Sequence, residues 1–325
     1  MTHQITAFVV YFRYGKPCKT AKTLLEAVRY FSDLDVATEY FAKARWPEGP
    51  VCPKCGVLDE KHYYLKSRRV RKCRACKKQF SVKVGTVLED SPLGLDKWLP
   101  AMWMLVNCKS GISSYELARD LGIQQKSAWF MLHRIRLAMQ TGSFEKLSGE
   151  VEADETFVGG LEKFKHESKK LKQGRGYSGK TAVMGLVGRG GEARARVIPN
   201  TAKSTLHGEV KENVKRGSTV ITDSLLSYRG LQGEYTHEFV DHAIEYVRGN
   251  IHTNKAENFW SLLKRTLKGT YVHVNPDHLA AYLDEQTFRF NNRESKDADR
   301  FVKTLGSVAG RRVTYDELTG KTATD

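Results

Sequence analysis

The sequence predicts a multidomain protein in which a small cysteine-rich β module and a helical region precede an α/β domain. Three observations lead to this prediction. Two Cys-x-x-Cys pairs lie close together within residues 51–90. Apolar residues recur at helical spacing through residues 91–142. After residue 142 the pattern changes to short apolar segments of strand length. One helix-like segment lies between them, and further helices come after them.

Length and charge narrow the class of protein. The chain has 325 residues, enough for two or three domains with a sizeable core. Its 53 Lys and Arg against 37 Asp and Glu give a formal net charge of +16, which favours a polyanionic partner. No apolar run approaches the roughly 20 residues of a membrane span, and no secretory signal pattern begins the chain. Six cysteines in such a length are no disulfide framework, so we expect a cytoplasmic protein with metal-binding cysteines and no membrane partner.

The chain begins with a segment to which the pattern assigns no structure. We predict a poorly ordered N-terminal extension at 1–24, with a start site assigned too early as the alternative, and a helical lead-in at 25–50. Apolar spacing over 22–45 indicates two short helices with Asp33 as the cap between them. The following boundaries are a cysteine-rich module at 51–90, a helical region at 91–142, an α/β domain at 143–292 and a polar tail at 293–325.

The cysteine-rich module carries two Cys-x-x-Cys pairs that are separated by 17 residues. Each pair places two thiolates on one metal ion from a tight turn, and four thiolates complete a tetrahedral site that suits zinc. Since no coordination position stays open, we expect a structural zinc ion that contributes to folding. The predicted ligands are Cys52, Cys55, Cys73 and Cys76. Cys18 and Cys108 are interpreted as small apolar residues or free thiols.

A basic run covers residues 61–80, with nine Lys and Arg residues and no acidic residue. Tyr63, Tyr64 and Phe80 lie among these cations. This density of cations on a small module favours contact with nucleic acid. Such residues meet phosphates and supply affinity more than sequence choice. The alternative is that these residues form a charged surface that is exposed only to solvent. The predicted DNA-binding residues here are Arg68, Arg69, Arg71 and Lys72.

The helical region contains a pattern that fits a helix-turn-helix. A helix over Ser114–Asp120 is followed by a turn at Leu121-Gly122-Ile123 and a second helix over Gln124–Met139. A three-helix packing unit without DNA contact gives a similar pattern and stays an alternative. The expected core residues are Leu117, Ala118, Leu121, Trp129, Leu132 and Ile135. The residues predicted to reach base edges or phosphates are Gln124, Gln125, Lys126 and Ser127.

Five segments of the predicted α/β domain have the apolar character of strands. They are Glu150–Thr156, Ala182–Gly188, Ala195–Ile198, Thr219–Thr222 and His237–Val240, with a helix-like segment Lys203–Val214 before the fourth. Asp154 lies in the first strand and Asp223 ends the fourth. Burying a carboxylate at the end of a mostly apolar strand costs free energy unless the carboxylate meets a cation. Two such strands side by side therefore predict a site for a divalent metal ion. Each Asp alone is as readily a turn residue or a helix cap.

Glu257 is the third candidate carboxylate and lies in a late helix that begins near Asn254. At about 100° per residue this helix has one polar and one apolar face. The polar face carries Glu257, Ser261, Lys264 and Lys268, and the apolar face carries Phe259, Leu262, Leu263 and Leu267. The apolar face can pack on a sheet while the polar face lines a cleft. A structural alternative is that Asn254 and Glu257 form a capping box, whose spacing they have.

Taken together, these residues resemble a known family. Asp154, Asp223 and Glu257 follow the order first strand, fourth strand and late helix of DDE transposases. The phrases ADETFVGG, VITD, HTNKAENFWSLLKR and YLDEQTFRFNNR are similar to those of the zinc-ribbon, ISXO-like branch of bacterial insertion sequences, which is related to the Merlin elements of eukaryotes. The resemblance covers about residues 25–293. It implies an N-terminal zinc ribbon and a helix-turn-helix, a small β and an all-α module, before an α/β RNase H-like catalytic core with a mixed sheet.

The activity that the resemblance implies is DNA transposition. Such an enzyme binds terminal inverted repeats, cleaves DNA at the element ends and joins the 3′-hydroxyl to target DNA. Asp154, Asp223 and Glu257 are then the catalytic ligands of two Mg²⁺ ions, for which Mn²⁺ can substitute. Glu152 shares the strand face of Asp154 and is a reserve ligand.

Supporting roles follow for nearby residues. Lys264, Arg265 and Lys268 are expected to neutralise DNA phosphates. His252 and Asn254 orient water or phosphate, or else serve in capping and packing. The segment 161–180, with seven basic and two acidic residues, is interpreted as a loop that tracks DNA or as a solvated loop.

The expected partner is double-stranded DNA, both element ends and target, bound by a homodimer or higher oligomer at the nucleoid. Two other functions stay open at this point. An RNase H-like nuclease would cleave without joining, and a zinc-ribbon/helix-turn-helix regulator would bind without cleaving. The three placed carboxylates count against the regulator, which has no need of them.

Overall fold

The computed structural model describes residues 21–59, 61–140, 145–160, 170, 177, 179–240 and 252–320. The helices are α1 (Leu24–Phe31), α2 (Leu34–Arg45), α3 (Leu95–Asn107), α4 (Ser114–Leu121), α5 (Gln125–Met139), α6 (Lys203–Asn213), α7 (Asn254–Thr266), α8 (Leu279–Asn291), α9 (Asp297–Gly306) and α10 (Tyr315–Thr319). The strands are β1 (Tyr63–Leu65), β2 (Val70–Lys72), β3 (Gln79–Ser81), β4 (Glu150–Val158), β5 (Thr181–Gly188), β6 (Ala193–Ile198), β7 (Thr219–Asp223) and β8 (Thr236–Val240). They form two compact units, the first from residues up to 108, 112–139 and 295 onward, the second from 109–111 and 140–294.

The first unit begins with the two short helices that the sequence predicts. Asp33 caps α2, since its Oδ1 accepts hydrogen bonds from the backbone N–H of Asp35 at 2.7 Å and of Val36 at 3.2 Å. Beyond them, β1, β2 and β3 form a three-stranded antiparallel ribbon. Each strand has only three residues. A sheet this small buries little apolar surface, so we expect a metal ion bound by the cysteines to stabilise its fold.

The helix-turn-helix pattern is present as α4 and α5. The hydroxyl of Ser113 accepts a hydrogen bond from the N–H of Glu116 at 3.1 Å and so caps α4. Gly122 ends α4 in the left-handed region at φ 62°, a conformation that glycine adopts without steric cost. Of the six expected core residues five are buried, and Trp129 is half-buried.

The polar tail predicted at 293–325 is wrong for the described residues. Helix α9 occupies Asp297–Gly306, and its Phe301 is fully buried in the first unit. The ring centroid of Phe301 lies 5.7 Å from that of Phe31 and 5.2 Å from that of Trp103. Few apolar residues in a polar context gave a weak helical signal, although Phe301 and Leu305 have helical spacing.

The second unit is built on a five-stranded mixed sheet with the strand order β6-β5-β4-β7-β8. Strands β4, β5 and β6 pair antiparallel, whereas β7 pairs parallel with both β4 and β8. All five predicted strands overlap the observed strands β4 to β8. Helix α6 precedes β7, as expected. Strand β4 therefore lies at the centre of the sheet with β7 beside it.

Apolar side chains cover both faces of this sheet. One face packs Val151, Ala153 and Val220 against α6 residues such as Leu206 and against Tyr228. The opposite face packs against α7 and α8, as the larger set Val183, Val187, Ala256, Phe259, Trp260, Leu263 and Leu283 shows. The predicted apolar face of the late helix is thus the face that meets the sheet.

The predicted fold class is confirmed: a zinc-ribbon module and a helical region accompany a mixed-sheet α/β core. The domain boundaries proposed before residue 293 stay predictions. No helix in the described part of the chain combines the length and the apolar character of a membrane span.

Candidate functional site

Four cysteine thiols converge in the ribbon. The Sγ atoms of Cys52 and Cys76 are 3.7 Å apart, and those of Cys55 and Cys73 are 3.6 Å apart. All four sulfur atoms lie within 4.8 Å of one another. A tetrahedral site with Zn–S bonds of about 2.3 Å separates its sulfur atoms by about 3.8 Å. The thiols therefore have the spacing of zinc ligands, and the donor set fits a structural zinc ion.

The thiols of this cluster share protons unequally. Burial raises the pKa of Cys73, but the N–H groups of Cys76 and Ala75 and the neighbouring thiols outweigh it and bring this pKa down to about 7. The N–H of Val57 lowers the pKa of Cys55, but burial and the other three thiols outweigh it and raise this pKa to about 11. Because zinc binds thiolates, loading the site releases the protons that the thiols hold.

Aromatic rings and cations alternate on the ribbon. The guanidinium carbon of Arg71 lies 5.1 Å from the ring centroid of Tyr64 and 5.8 Å from that of Trp46. Desolvation in this setting lowers the pKa of Arg71. The guanidinium of Arg74 lies 6.0 Å from the ring centroid of Tyr63, and the rings of Tyr63 and Tyr64 are exposed. The surface thus offers stacked cations together with exposed aromatic faces.

The four cations predicted to bind DNA on the ribbon differ in their surroundings. Arg68 is exposed, whereas Arg71 and Lys72 are half-buried. Arg69 forms an ion pair, with its Nε 2.5 Å from Oδ1 of Asp35 on α2. Arg68 is therefore the cation of this set that the fold leaves most accessible.

The start of α5 also has mixed surroundings. Gln124 and Lys126 are exposed, and Gln125 and Ser127 are half-buried. The side-chain N–H of Gln125 donates to the hydroxyl of Ser114 at 2.8 Å, which links α4 to α5. The Nζ of Lys126 lies 4.6 Å from the ring centroid of Tyr315 on α10, a contact with the region that was expected to be a tail.

In the second unit, two predicted carboxylates lie on neighbouring strands. The parallel register pairs Glu152 of β4 with Ile221 of β7, and two further steps along both strands place Asp154 beside Asp223. Oδ1 of Asp154 accepts from the N–H of Glu155 at 2.8 Å, and Oδ1 of Asp223 accepts from the N–H of Leu225 at 3.0 Å. The strand order that the sequence only suggested thus brings the two side chains together.

A third carboxylate joins them that sequence reasoning missed. One carboxylate oxygen from each of Asp154, Glu155 and Asp223 lies within 4.8 Å of the other two. The hydroxyl of Tyr228, which is fully buried, donates a hydrogen bond to Glu155. Adjacent residues of a strand point to opposite faces, so strand periodicity does not group Glu155 with Asp154. Its position directly after Asp154 was the available signal.

Burial and mutual repulsion raise the pKa values in this cluster. Desolvation, followed by the charges of Asp223 and Glu257, raises the pKa of Asp154 to about 6. Desolvation, followed by Asp223 and Asp154, raises the pKa of Glu155 to about 9. A cation bound among these buried carboxylates would stabilise their ionised forms, because it offsets their mutual repulsion.

Glu257 lies in the first turn of α7, exposed and outside the group of three. Its charge nevertheless helps to raise the pKa of Asp154, which indicates that the two residues are near one another. The alternative of a capping box between Asn254 and Glu257 does not hold, because the N-cap position is Thr253, whose side chain makes no capping hydrogen bond. The Thr253 hydroxyl donates to Oε1 of Glu257 at 3.3 Å.

Trp260 attaches α7 to the sheet next to Asp154. Gly185 is the cross-strand partner of Asp154, and a Cβ at Gly185 would lie 2.5 Å from Cζ2 of Trp260. Only glycine leaves room for the indole here. The indole N–H makes no hydrogen bond of standard geometry, yet it is near enough to lower the pKa of Asp154.

Glu152, the reserve ligand, has a different place in the structure. Its side chain is fully buried, and Oε2 accepts hydrogen bonds from the backbone N–H of Lys255 at 2.8 Å and of Ala256 at 3.1 Å. Nδ1 of His252 lies 3.4 Å from Oε1 of the same carboxylate. Glu152 is therefore engaged with the start of α7 rather than grouped with Asp154.

The other predicted residues of this unit are placed as follows. Lys264, Arg265 and Lys268 are exposed, on or directly after α7. Most of the basic segment 161–180 lies outside the described residues. Tyr177 is described, and its ring stacks on that of Phe157 of β4 at 4.0 Å.

The donor set fits a hard divalent cation. Three carboxylates converge from two strands, and they are oxygen donors, which Mg²⁺ and Mn²⁺ prefer. The charge of a fourth carboxylate, Glu257 on α7, acts on Asp154. Among the described residues, this cluster and the four cysteines are the two groups that could hold a metal ion.

Comparison with known proteins places the chain in a family. Residues 146–291 match an ISXO2-like transposase domain, and residues 33–79 match a transposase zinc-ribbon domain. A transposase-like protein of Haemophilus influenzae is 34% identical over 110 residues, which are 34% of this chain and 89% of that protein. The chain belongs to the ISXO2-like transposase family. The resemblance that the motifs predict is thereby confirmed.

The comparisons also found one longer relative and one solved structure. The transposase is 29% identical over 263 residues to an uncharacterised protein in the transposable element ISH50 of Halobacterium salinarum, covering 76% of this chain and 87% of that protein. It also has a weak likeness to the crystal structure of a pre-cleavage Mos1 transpososome. That likeness has a TM-score of 0.24 and 10% identity, and covers 63% of this chain and 78% of the other.

Proposed function

We propose that this transposase cleaves DNA at the ends of its insertion sequence and joins the freed 3′-hydroxyl to target DNA by phosphoryl transfer at the carboxylate site of the second unit. The observation that carries this proposal is the convergence of Asp154, Glu155 and Asp223 within 4.8 Å. The charge of Glu257, which also acts on Asp154, supports it. Burying these carboxylates together is unfavourable for folding, so their place calls for a function that needs cations.

The residues of the site supply positions for two divalent ions, Mg²⁺ with Mn²⁺ as a substitute. Asp154 and Asp223 are the ligands we assign first, with Glu257 completing the set and Glu155 available beside them. When bound, the ions would activate water for cleavage and the DNA 3′-hydroxyl for joining, and would stabilise charge on the leaving oxygen. The Tyr228 hydroxyl holds Glu155 in place, and Trp260 excludes water on the α7 side of Asp154. No side-chain nucleophile is required.

The DNA-binding residues are proposed from their charge and exposure. Lys264, Arg265 and Lys268 contact phosphates near the cleaved strand. On the first unit, Arg68, Arg71 and Lys72 of the ribbon contact the DNA backbone, and Gln124, Gln125, Lys126 and Ser127 of α5 reach the major groove. Arg69 contributes less, because its ion pair with Asp35 competes with phosphate. Two element ends are joined in one event, so we propose a dimer or higher oligomer on DNA, acting at the nucleoid.

The test is a strand-transfer assay with the DNA that flanks this gene. A labelled duplex that ends in the flanking repeat is incubated with protein, Mg²⁺ and a supercoiled plasmid. We expect cleavage at the repeat and covalent transfer of its 3′ end to the plasmid, both lost in Asp223→Asn while DNA binding persists. Cleavage without transfer indicates a nuclease, and binding without cleavage indicates a regulator. Full activity of Asp223→Asn contradicts the metal assignment.

A further inference from the structure

A buried carboxylate joins the central strand of the sheet to the start of α7. Oε2 of Glu152 accepts two backbone hydrogen bonds, from Lys255 at 2.8 Å and from Ala256 at 3.1 Å. These are the second and third residues of the helix, whose N–H groups have no partner within the helix itself. The side chain of Glu152 is 0% exposed. A strand residue thus performs the capping that Thr253, the residue before the helix, does not.

The other oxygen of Glu152 lies near a guanidinium group and an imidazole ring. Nε of Arg189 is 3.5 Å and Nδ1 of His252 is 3.4 Å from Oε1. Arg189 also binds Glu150, since its Nη1 lies 2.5 Å from Oε2 of that carboxylate. The backbone carbonyl of Arg189 accepts a hydrogen bond from Nζ of Lys255 at 2.7 Å. The first turn of α7 is therefore held by contacts with β4 and with the residue that follows β5.

These contacts determine where the third predicted carboxylate lies. Glu257 follows Ala256 directly, and helical geometry fixes its backbone once the first turn is fixed. A carboxylate at a helix N-terminus also complements the partial positive charge there. Since the same strand carries Glu152 and Asp154, one element holds both a ligand and the anchor of the helix that carries another.

We propose that Glu152 is a positioning residue, which anchors the start of α7 to β4 and thereby holds Glu257 in register with Asp154 and Asp223. Its engagement with Lys255 and Ala256 removes it from the set of direct metal ligands. The inference rests on the proposed function in that it assigns Glu257 to the metal site. The attachment of α7 itself can be measured without metal or DNA.

Trp260 provides the local probe. The chain has five tryptophans, and Trp260 lies on α7 against Gly185 while the other four belong to the first unit. Protein labelled with 5-fluorotryptophan gives one ¹⁹F resonance for each, and the Trp260→Phe variant assigns the one of interest. We expect this resonance to shift or broaden in Glu152→Ala and less in Glu152→Gln, with the other four unchanged.

Glu150→Gln is the matched control. Glu150 lies on the same strand, but its side chain is exposed and, among the described residues, it binds Arg189 rather than α7. Its replacement removes a carboxylate near the anchor and leaves the hydrogen bonds to Lys255 and Ala256 in place. We expect the Trp260 resonance of Glu150→Gln to match that of the unsubstituted protein.

Calorimetric titration with Mn²⁺ alone, in the zinc-loaded protein, is the second readout. Loss of residues that position metal ligands typically weakens metal affinity about tenfold or more. We expect an effect of about tenfold in Glu152→Gln and none in Glu150→Gln. Glu152→Gln retains the side-chain length and one acceptor oxygen, so it remains informative if Glu152→Ala does not fold.

Both readouts must change for the proposal to stand. An unchanged Trp260 resonance in Glu152→Gln and Glu152→Ala refutes the anchor, whatever the Mn²⁺ affinity. A moved resonance with unchanged Mn²⁺ affinity refutes the link to the metal site. If the unsubstituted protein binds no Mn²⁺, the metal assignment of the proposed function fails, and the part of this inference that concerns Glu257 fails with it. The ¹⁹F comparison then decides the attachment of α7 separately.

Discussion

Replacing Asp154 by Asn should stabilise the metal-free protein at alkaline pH, although it removes a residue of the proposed active site. Folding raises the pKa of Asp154 from its ordinary 3.8 to about 6, chiefly through desolvation and the charge of Asp223. A group with a raised folded-state pKa favours folding while it is protonated and opposes folding as the pH rises through that pKa. The ionised carboxylate therefore lowers the free energy of unfolding at pH 8, and Asn does not.

The size of the effect follows from the same values. A pKa change from 3.8 to about 6 corresponds to about 3 kcal/mol at pH 8. For a unit of this size, such a difference in the free energy of unfolding raises the melting temperature of Asp154→Asn by roughly 6–12 °C. At pH 4 the difference between the two proteins should nearly vanish, because Asp154 is then mostly protonated in the folded state. The Asn side chain can still accept the hydrogen bond from the N–H of Glu155.

The assay is calorimetric unfolding between pH 4 and pH 9. The protein is zinc-loaded and dialysed free of Mg²⁺, because a chelator would also strip the cysteine site. Asp277→Asn, which removes an exposed carboxylate of the same unit, is the control and should show the pH dependence of the unsubstituted protein. Saturating Mg²⁺ should reverse the order of stability by stabilising only proteins that retain Asp154. If Asp154→Asn melts at or below the unsubstituted protein at pH 8 without Mg²⁺, the electrostatic argument is refuted.

Three other predictions concern the first unit. Cys73→Ser should abolish retention of zinc and unfold the ribbon, as metal analysis and amide exchange will show; a full zinc content would contradict the site. Phe301→Ala should lower the free energy of unfolding by about 3–5 kcal/mol in denaturant titrations, because it empties a fully buried aromatic site; no effect would mean that α9 does not pack there in solution. Arg68→Ala should reduce the salt dependence of DNA binding by about one ion. Arg69→Ala should reduce it less, since Arg69 is paired with Asp35, and equal slopes would overturn that distinction.

Local patterns made much of the fold predictable. The strands of the second unit are apolar runs between turn signals, and β4 to β8 lie close to their predicted positions. The spacing of the cysteine pairs predicts the thiol cluster because a metal-binding turn constrains its own residues. Helix α9 was missed because its stability comes from packing of Phe301 against distant residues, which a local pattern does not contain.

The site was predictable only in part, for the same reason. The pairing of Asp154 with Asp223 depends on β7 lying parallel to β4, which the family resemblance implied and periodicity alone did not. Glu155 was missed because strand alternation assigns it to the other face, and the Tyr228 hydroxyl that holds it is distant in sequence. Glu152 has the sequence features of a ligand, and only the hydrogen bonds from α7 show its different place.

The most direct test of the central claim is to locate the metal ions. Crystals of the protein with uncleaved flanking DNA and Mn²⁺, measured near the manganese absorption edge, give anomalous peaks at bound ions. Our account predicts a peak within about 2.0–2.3 Å of oxygens from both Asp154 and Asp223, and none at Glu152. Well-ordered DNA at this site with no manganese on either aspartate would contradict it.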